Sequence, residues 1–258
     1  MRCSAVVRAG ELGFLAEPTL WGEVYRRSEA IDLFEFLEAA GLDAELRAAD
    51  LCRLDPRLDG LEPEGSPIRV LDIEAVGISS GHLATFLVGI GTQRGRWLDL
   101  DQFLLAEVGA EAALLQAVAA LVSGSLLLTY NGRAFDLRVL GSRCVANGIH
   151  PVGVEPRLHV DLLASTRRLF RAELRSCTLR QAEMRLLHYF REDDVPGIEG
   201  PSRYRAWLQG APSSVLAGVI EHNRLDVCGT AALAARLVAQ ISGSTTHIEV
   251  GSRYNLSR

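Results

Sequence analysis

The pattern of apolar and polar residues predicts three consecutive strands in the second quarter of this chain. The stretches IRVLDIEAV (68–76), LATFLVGIG (83–91) and GRWLDL (95–100) are short, rich in branched residues and bounded by polar or glycine-containing segments. Gly91, Gly95 and the few polar residues near them predict a hairpin turn between the last two strands. The three strands are therefore expected to form an antiparallel unit.

After the third strand the spacing of apolar residues changes to a helical period. Glu107–Val122 and Ala134–Asn147 are predicted helices, and the apolar run SLLLTY (125–130) between them is a predicted strand. HVDLL (159–163) fits either a last strand or the start of a helix, and the pattern is helical from Thr178 onward. Breaks are predicted at Pro196-Gly197, Gly200-Pro201 and Gly210-Ala211-Pro212. The longest predicted helix of this part spans Ser213–Ile241.

This order of elements predicts the fold class and a division of the chain. Three strands followed by helix, strand and helix indicate an α/β fold with a mixed sheet, antiparallel first and parallel afterwards, flanked by helices. The front part combines a predicted helix over Glu29–Ala49 with Pro- and Gly-containing connections and ends in a polar EPEGSP segment. We predict an acidic N-terminal extension over 1–66, the main domain over 67–242 and a C-terminal tail over 243–258.

Charge is distributed unevenly along the chain. Residues 1–66 hold fourteen acidic residues and seven arginines, a net charge of −7, whereas residues 67–258 carry +2. Residues 157–191 hold eight arginines against three acids, an excess that suits either a phosphate backbone or a solvated helix face. The acidic front is a possible surface for a protein partner, and one reading has it shield a basic groove until that partner displaces it.

Composition excludes several classes of protein. No window approaches the roughly 18 to 20 uncharged apolar residues of a membrane helix, and no secretory signal is evident, so we expect a soluble, cytoplasmic protein without a membrane partner. The five cysteines are odd in number, scattered and without C-x-x-C, which argues against a disulfide framework and a zinc site. The chain contains no lysine, which excludes a P-loop or a Schiff-base mechanism.

Two acidic residues stand on one face of the first predicted strand. Asp72 and Glu74 are two apart and project together, whereas Leu71 and Ile73 project into the opposite layer. Clustered carboxylates on an apolar strand raise one another's pKa unless a cation binds them. The alternative is an edge strand with one wet face, because D-x-E also occurs by chance.

Two further motifs carry acids on predicted helices. In YNGRAFD (130–136), Asp136 lies in the first turn of a helix that follows a strand, where it would also complement the helix dipole. In EHNRLDV (221–227), His222 and Asp226 are four apart and neighbours on one helical face. A surface ion pair is the plain interpretation of that spacing, and Asn223 is interpreted as a polar residue on a different face.

The order D-x-E, N-x-x-x-F-D, H-x-x-x-D resembles DEDD-type 3'-5' exonucleases of the ribonuclease-H-like superfamily, most closely the YprB-like branch. The resemblance covers roughly residues 68–238. The front segment is also similar to the short N-terminal extension of that branch. Further matching segments are FLVGIG (86–91), HVDL (159–162), DVPG (194–197) with Tyr204 and Leu208, and HNRLDV (222–227).

The resemblance implies a two-metal nuclease that hydrolyses phosphodiester bonds from a 3' end. Asp72, Glu74, Asp136 and Asp226 would be catalytic ligands of two Mg²⁺ or Mn²⁺ ions, and His222 would accept a proton. The partner would be nucleic acid, as single-stranded ends of DNA or RNA. The candidate substrate contacts are Asn131, Phe135, Arg167, Arg168 and Arg171.

Two departures from the family pattern leave roles open. Ala75 and Val76 replace threonines that commonly follow the Glu, which leaves a contact to the terminal nucleotide open. His222 precedes Asp226 by four residues, a spacing that one subgroup uses with Tyr, whereas the His-bearing subgroup uses five. The rival hypothesis is a ribonuclease-H-like module that binds nucleic acid or protein without cutting. The residues do not decide whether the substrate is DNA or RNA, or whether the protein is an exonuclease or an endonuclease.

Overall fold

A computed structural model describes residues 5–43, 45–58, 60–61, 63, 65–78, 81–150 and 156–243. Within these ranges seven strands form one mixed sheet, in the spatial order β1-β2-β5-β4-β3-β6-β7. Neighbouring strands from β1 to β3 are antiparallel, and β3, β6 and β7 are parallel. The strands are β1 Leu15–Thr19, β2 Gly22–Asp32, β3 Ile68–Gly77, β4 Leu83–Arg94, β5 Trp97–Leu104, β6 Leu126–Thr129 and β7 Leu158–Asp161.

Helices cover both faces of this sheet, which confirms the predicted α/β class. None of the helices in the described ranges is long and apolar enough to cross a bilayer. A π-helix spans Glu183–Leu187, and 3₁₀ turns span Glu38–Ala40, Pro56–Leu58, Val108–Ala110 and Gly197–Glu199. The α-helices are α1 Ala5–Glu11, α2 Phe34–Leu37, α3 Ala48–Cys52, α4 Glu111–Val122, α5 Asp136–Ala146, α6 Leu162–Phe170, α7 Leu179–Ala182, α8 Gly200–Leu208 and α9 Ser214–Ile241.

The alternation of β3 separates two apolar layers, as its sequence predicts. Leu71 and Ile73 pack with α4 and α5 on one face, whereas Val70 packs with the later part of α9 on the other. Asp72 and Glu74 share the face of Val70 because side chains alternate along a strand. The two carboxylates therefore lie under α9, which packs across β3 and β4.

Most predicted elements are confirmed, and the two interpretations of HVDLL are each right for part of it. The strand β7 ends at Asp161, and the helix α6 begins at the next residue, where the Asp161 side chain accepts a hydrogen bond from the Leu163 N–H. The longest predicted helix is α9, which begins at Ser214 and ends at Ile241. Glycine and proline signals marked these ends correctly because they act locally.

The predicted helix over Glu29–Ala49 is wrong. Residues up to Asp32 belong to β2, which pairs with β5 from Tyr25 opposite Leu104 to Asp32 opposite Trp97. Helix occupies only α2 and α3 of this stretch, apart from one 3₁₀ turn. Pairing with a distant strand outweighs the local helical period, because β structure depends on cross-strand packing.

The front segment is built into the sheet. Val24, Tyr25, Phe36 and Leu37 are buried in the two apolar clusters of the domain. Removal of 1–66 would strip two strands and expose these side chains, so the segment is not a detachable shield over a groove. The domain boundary near residue 66 stays a prediction. Of the predicted tail over 243–258, Gly243 belongs to the described residues and the rest lies outside them.

Candidate active site

The candidate site begins on β3, where the pairing with β4 shifts register. Asp72 is opposite Gly89 and Glu74 is opposite Leu87, but the next residue, Ala75, is opposite Thr85. A bulge of this kind bends a strand and re-aims its side chains, and such bulges are common beside active sites. Glu74 is only 8% exposed and Asp72 is half-buried.

Asp136 reaches this strand from the first turn of α5. Its Oδ1 accepts a hydrogen bond of 3.1 Å from the backbone N–H of Ile73, the residue between the two acids of β3. The geometry follows from topology, because β3 and β6 are parallel neighbours and the turn after β6 leads into α5 at their carboxyl ends. This contact brings Asp136 to the strand of Asp72 and Glu74, whereas the shared role of these three acids and Asp226 as metal ligands stays a prediction.

Asn223 connects α9 to the same strand, so its interpretation as a polar residue on a different face is wrong. It is fully buried, and its Nδ2 donates to Asp72 Oδ2 at 2.8 Å and to the Asp72 carbonyl at 3.2 Å. Gln102 Nε2 donates to Asn223 Oδ1 at 2.9 Å. A Cβ at Gly89 would collide with that oxygen, so the glycine in FLVGIG permits the close approach of helix and sheet.

Asp226 lies one turn further along α9 and is held by Arg191. Arg191 Nη1 is 2.6 Å from Asp226 Oδ1 and 3.2 Å from Asp194 Oδ2. Its Nε and Nη2 make a bidentate pair with the two oxygens of Glu183, at 2.7 and 2.6 Å. Arg191 is buried, so it cannot belong to the phosphate-tracking run that the charge pattern suggested for residues 157–191.

His222 is oriented by a residue to which the sequence analysis assigned no role. Its Nδ1 is 2.7 Å from Asp194 Oδ1, and its Nε2 is 3.6 Å from Asp226 Oδ2. A carboxylate on one ring nitrogen fixes the direction of the other. Asp194 opens the DVPG segment, which was the available signal, but the pattern alone could not say which residue this aspartate contacts.

The carboxyl groups of the site influence one another electrostatically. Burial raises the pKa of Asp72 well above its usual value, and the carboxylates of Asp226, Asp136 and Glu74 raise it further. Burial also raises the pKa of Glu74 to about 8 and that of Asp136 to about 7. Burial lowers the pKa of His222, but the carboxylates of Asp226 and Asp194 outweigh it, so that pKa is raised. Such clustered perturbations are typical of functional sites.

Comparison with known proteins identifies the family. Residues 70–238 match the family model of the RNase_H superfamily. This chain belongs to the RNase H superfamily. The match contains every catalytic candidate named from the sequence, and it confirms the superfamily that the acidic motifs indicated.

One relative and two solved structures show where the likeness extends. YprB from Bacillus subtilis (strain 168), an uncharacterized protein, is 31% identical over 157 residues, which are 60% of this chain and 38% of YprB. This chain thus matches less than two fifths of that relative's length, in agreement with the predicted YprB-like resemblance.

The family B DNA polymerase from the hyperthermophilic archaeon Pyrobaculum calidifontis is similar with a TM-score of 0.52 and 17% identity, over 68% of this chain and 25% of the polymerase. E. coli Exonuclease I, solved in complex with a dT13 oligonucleotide, has a TM-score of 0.44 and 17% identity, over 69% and 42% of the two chains. At these identities the polymerase shows a shared fold only, and the likeness to Exonuclease I carries no argument about function.

The donor atoms of this RNase H superfamily site suit Mg²⁺ or Mn²⁺, which prefer carboxylate oxygen. Nevertheless, among the residues that the structure describes, no three His, Cys, Asp or Glu side chains are grouped closely enough to hold an ion. One Asp226 oxygen pairs with Arg191, and Asp136 is bonded to the Ile73 N–H. The chemistry of the four carboxylates fits divalent ions, and the two-ion site stays a prediction.

The predicted substrate contacts lie around the end of β6. Asn131 is exposed with a left-handed φ of 67°, and Phe135, directly before Asp136, is 40% exposed. Arg167 and Arg171 line an open cleft of about 490 Å³ beside Cys177, whose carbonyl accepts from the Tyr130 hydroxyl. The remaining candidate, Arg168, is exposed but donates to the Leu54 carbonyl at 3.1 Å. All five contacts stay predictions.

Asp161 and His159 hold the turn that carries these residues. Asp161 accepts hydrogen bonds from the backbone N–H groups of Asn131, Arg133 and Leu163 at 2.8 to 3.1 Å. His159 Nε2 is 2.8 Å from Thr129 Oγ1. These contacts give both residues a structural role in holding the turn.

We expect His159 to make the stability of the fold depend on pH. Burial lowers its pKa to about 4 from 6.5, and the Arg133 guanidinium lowers it further. The unfolded chain therefore binds more protons between these values, so the contribution is complete above pH 6.5 and is lost as the pH falls towards 4. The effect is at most about 3 kcal/mol. Urea unfolding from pH 4.5 to 7.5 should show a steeper loss for wild type than for His159→Gln.

His82→Gln is the matched control for this measurement, because His82 is exposed. It should follow the wild-type curve at every pH. If His159→Gln also follows that curve, the buried imidazole is not the titrating group.

Proposed function

We propose that this chain is a metal-dependent nuclease that hydrolyses phosphodiester bonds, acting as a 3'-5' exonuclease on single-stranded ends. The observation that carries the proposal is the hydrogen bond from the Ile73 N–H to Asp136, between the two acids of β3, beside the mutual electrostatic influence of all four acids. Membership in the RNase H superfamily supports hydrolytic nuclease activity as the general class.

Asp72, Glu74, Asp136 and Asp226 would hold the ions. Bound ions supply an activated water and stabilise the leaving oxygen of an in-line displacement. The charges agree with this role, because four carboxylates bring about −4 and two divalent ions bring neutrality. Burial is the main cause of the raised pKa values of Asp72, Glu74 and Asp136, and neighbouring carboxylates raise these pKa values further.

The other residues of the site position these groups. Asn223 fixes one Asp72 oxygen, Oδ2, by a hydrogen bond of 2.8 Å. Arg191 restrains Asp226. His222 would take a proton from the attacking water at Nε2, and the bond of its Nδ1 to Asp194 selects that nitrogen. Phe135 offers a stacking surface for a base, and Arg167 and Arg171 would hold phosphates.

A second candidate function is a binding module that does not cut. The ion pair between Arg191 and Asp226 favours it, because this guanidinium already neutralises one of the four acids. The absence of a closely grouped ligand set in the described part of the chain points the same way. Against it, a module without metal has no need to bury Glu74 and Asp136 beside Asp72 at a cost in free energy.

A direct assay separates the two functions. Purified full chain is incubated with single- and double-stranded DNA and RNA, labelled at the 5' or the 3' end, with Mg²⁺, Mn²⁺ or EDTA. A 3'-5' exonuclease shortens 5'-labelled strands stepwise and releases the label of 3'-labelled strands as a mononucleotide, only with metal present. Binding without cleavage under every condition would establish the module instead.

A further inference from the structure

A second basic pocket adjoins the first turn of α5, and its arginines have no part in the proposed reaction. Its volume is about 420 Å³, and four arginines line it: Arg57, Arg133, Arg138 and Arg157. They come from three distant segments, namely the front segment, the turn into α5 with its first residues, and the irregular segment directly before β7. Folding therefore gathers four guanidinium groups around one cavity.

Among the residues that the structure describes, the acidic neighbours of this pocket do not balance its charge. Asp55 makes a bidentate pair with Arg57, at 2.9 and 2.6 Å, and lies 3.5 Å from Arg133. The carboxylate of Asp161 is already engaged by three backbone N–H groups. Within the described part of the chain, Arg138 and Arg157 are exposed and have no ion-pair partner.

The position of the pocket connects it to the proposed reaction. Arg133 lies in the turn after β6, and Leu137 and Arg138, which line the pocket, directly follow Asp136. The Arg133 N–H donates to Asp161 Oδ2 at 3.1 Å, so this turn is held rigidly. Phe135 and Asp136 thus face the candidate site from the same short segment that supplies two arginines to the pocket.

We propose that the four-arginine pocket binds a backbone phosphate of the nucleic acid strand whose end lies at the candidate site. The proposal rests on the proposed function and adds a subsite to it. Guanidinium groups match phosphate oxygens in planar, paired hydrogen bonds, and a pocket with an excess of guanidinium over carboxylate attracts a polyanion. The front segment then takes part in substrate binding, because Arg57, Leu58 and Leu61 line one side of the pocket.

The test measures binding of fluorescein-labelled single-stranded oligo-dT to the full chain in EDTA, so that cleavage does not interfere. The double variant Arg138→Gln/Arg157→Gln should bind roughly tenfold more weakly at low salt. The slope of log affinity against log salt should become shallower by about 1.4, which is two lost phosphate contacts at about 0.7 each for a single strand. Both side chains are exposed, so the variant should keep the wild-type melting temperature.

The matched control is Arg94→Gln/Arg96→Gln, which removes the same charge from the hairpin between β4 and β5. That hairpin adjoins the amino end of β3, as Arg69 lies opposite Thr92, far along the strand from the two acids. The Arg94→Gln/Arg96→Gln variant should bind the oligonucleotide with an affinity and a salt slope close to those of wild type. Equal loss in both double variants would mean general attraction by net charge and would overturn the pocket.

Three further outcomes are decisive. Unchanged binding by the pocket variant, with normal cleavage, overturns the pocket and leaves the proposed function intact. Weaker binding by the pocket variant in a protein that never cleaves supports the pocket and overturns the nuclease. Finally, if dTMP at the oligonucleotide's own concentration displaces it from wild type, the pocket takes a free nucleotide and the strand subsite is wrong.

Discussion

Replacement of Asp72 by Asn is expected to lower the cleavage rate by about 1,000-fold, equivalent to about 4 kcal/mol of transition-state stabilisation. Burial raises the pKa of Asp72, and the carboxylates of Asp226, Asp136 and Glu74 all raise it further, so Asp72 interacts electrostatically with each of the other three acids. The amide keeps the shape of the side chain but is a poor ligand for a divalent ion. The measurement is the initial rate on a 5'-labelled oligonucleotide with Mn²⁺ and with Mg²⁺.

Asp72→Asn is also expected to change the melting temperature, and the change depends on whether metal is present. Saturating metal should raise the melting temperature of wild type by roughly 5 °C and that of Asp72→Asn much less, through binding linkage. Without metal, the variant should melt no lower than wild type, because it removes a buried carboxyl group whose pKa burial has raised.

Asp99→Asn is the control for Asp72→Asn, since Asp99 lies on β5, two strands away from β3, and pairs with Arg94. It should cleave like wild type. Equal rates for wild type and Asp72→Asn would show that Asp72 has no catalytic role and that any cleavage comes from elsewhere.

Replacement of Arg191 by Met is expected to lower the free energy of unfolding by about 3 to 5 kcal/mol. Arg191 and Glu183 form a bidentate pair in which both side chains are nearly inaccessible to solvent. Loss of the guanidinium leaves a buried carboxylate without a partner and frees Asp226 from its restraint. Urea unfolding at neutral pH measures the loss, and cleavage assays on the folded variant measure the effect on Asp226.

Matched variants separate the buried charge from the loss of a large side chain. Arg185→Met removes an exposed arginine of the same segment and should change the free energy of unfolding by less than about 0.5 kcal/mol. Glu183→Gln combined with Arg191→Met should recover much of the lost stability, because the uncompensated charge disappears. A loss below about 1 kcal/mol for Arg191→Met would contradict a tightly buried pair.

This ion pair also explains a glycine in the middle of the longest helix. A Cβ at Gly229 would collide with the Glu183 carboxylate, so glycine leaves room for that side chain. Ala at this position would favour the helix more strongly but would not leave that room. Gly89 likewise leaves room for Asn223 on the sheet. At both positions a side chain approaches the backbone so closely that a Cβ would not fit, and neither glycine has an unusual backbone conformation.

Local patterns predicted the parts of the site that depend on nearest neighbours in the chain. The alternation along β3 puts Asp72 and Glu74 on one face, and the strand-turn-helix signal puts Asp136 at the first turn of α5. Asn223 was misjudged, because its role depends on Asp72, which is 151 residues away. The sequence shows that Asn223 is polar, but not that it faces the sheet.

The amino-acid sequence by itself determined the superfamily and the α/β class, because the order and local setting of the motifs carry that information; its assignment of four acids as metal ligands stays a prediction. The tertiary structure alone decided the partners: Asp194 for His222, Arg191 for Asp226, and β5 for the strand at the front. Periodicity specifies which face a side chain occupies, whereas the packing of distant segments specifies what it meets there.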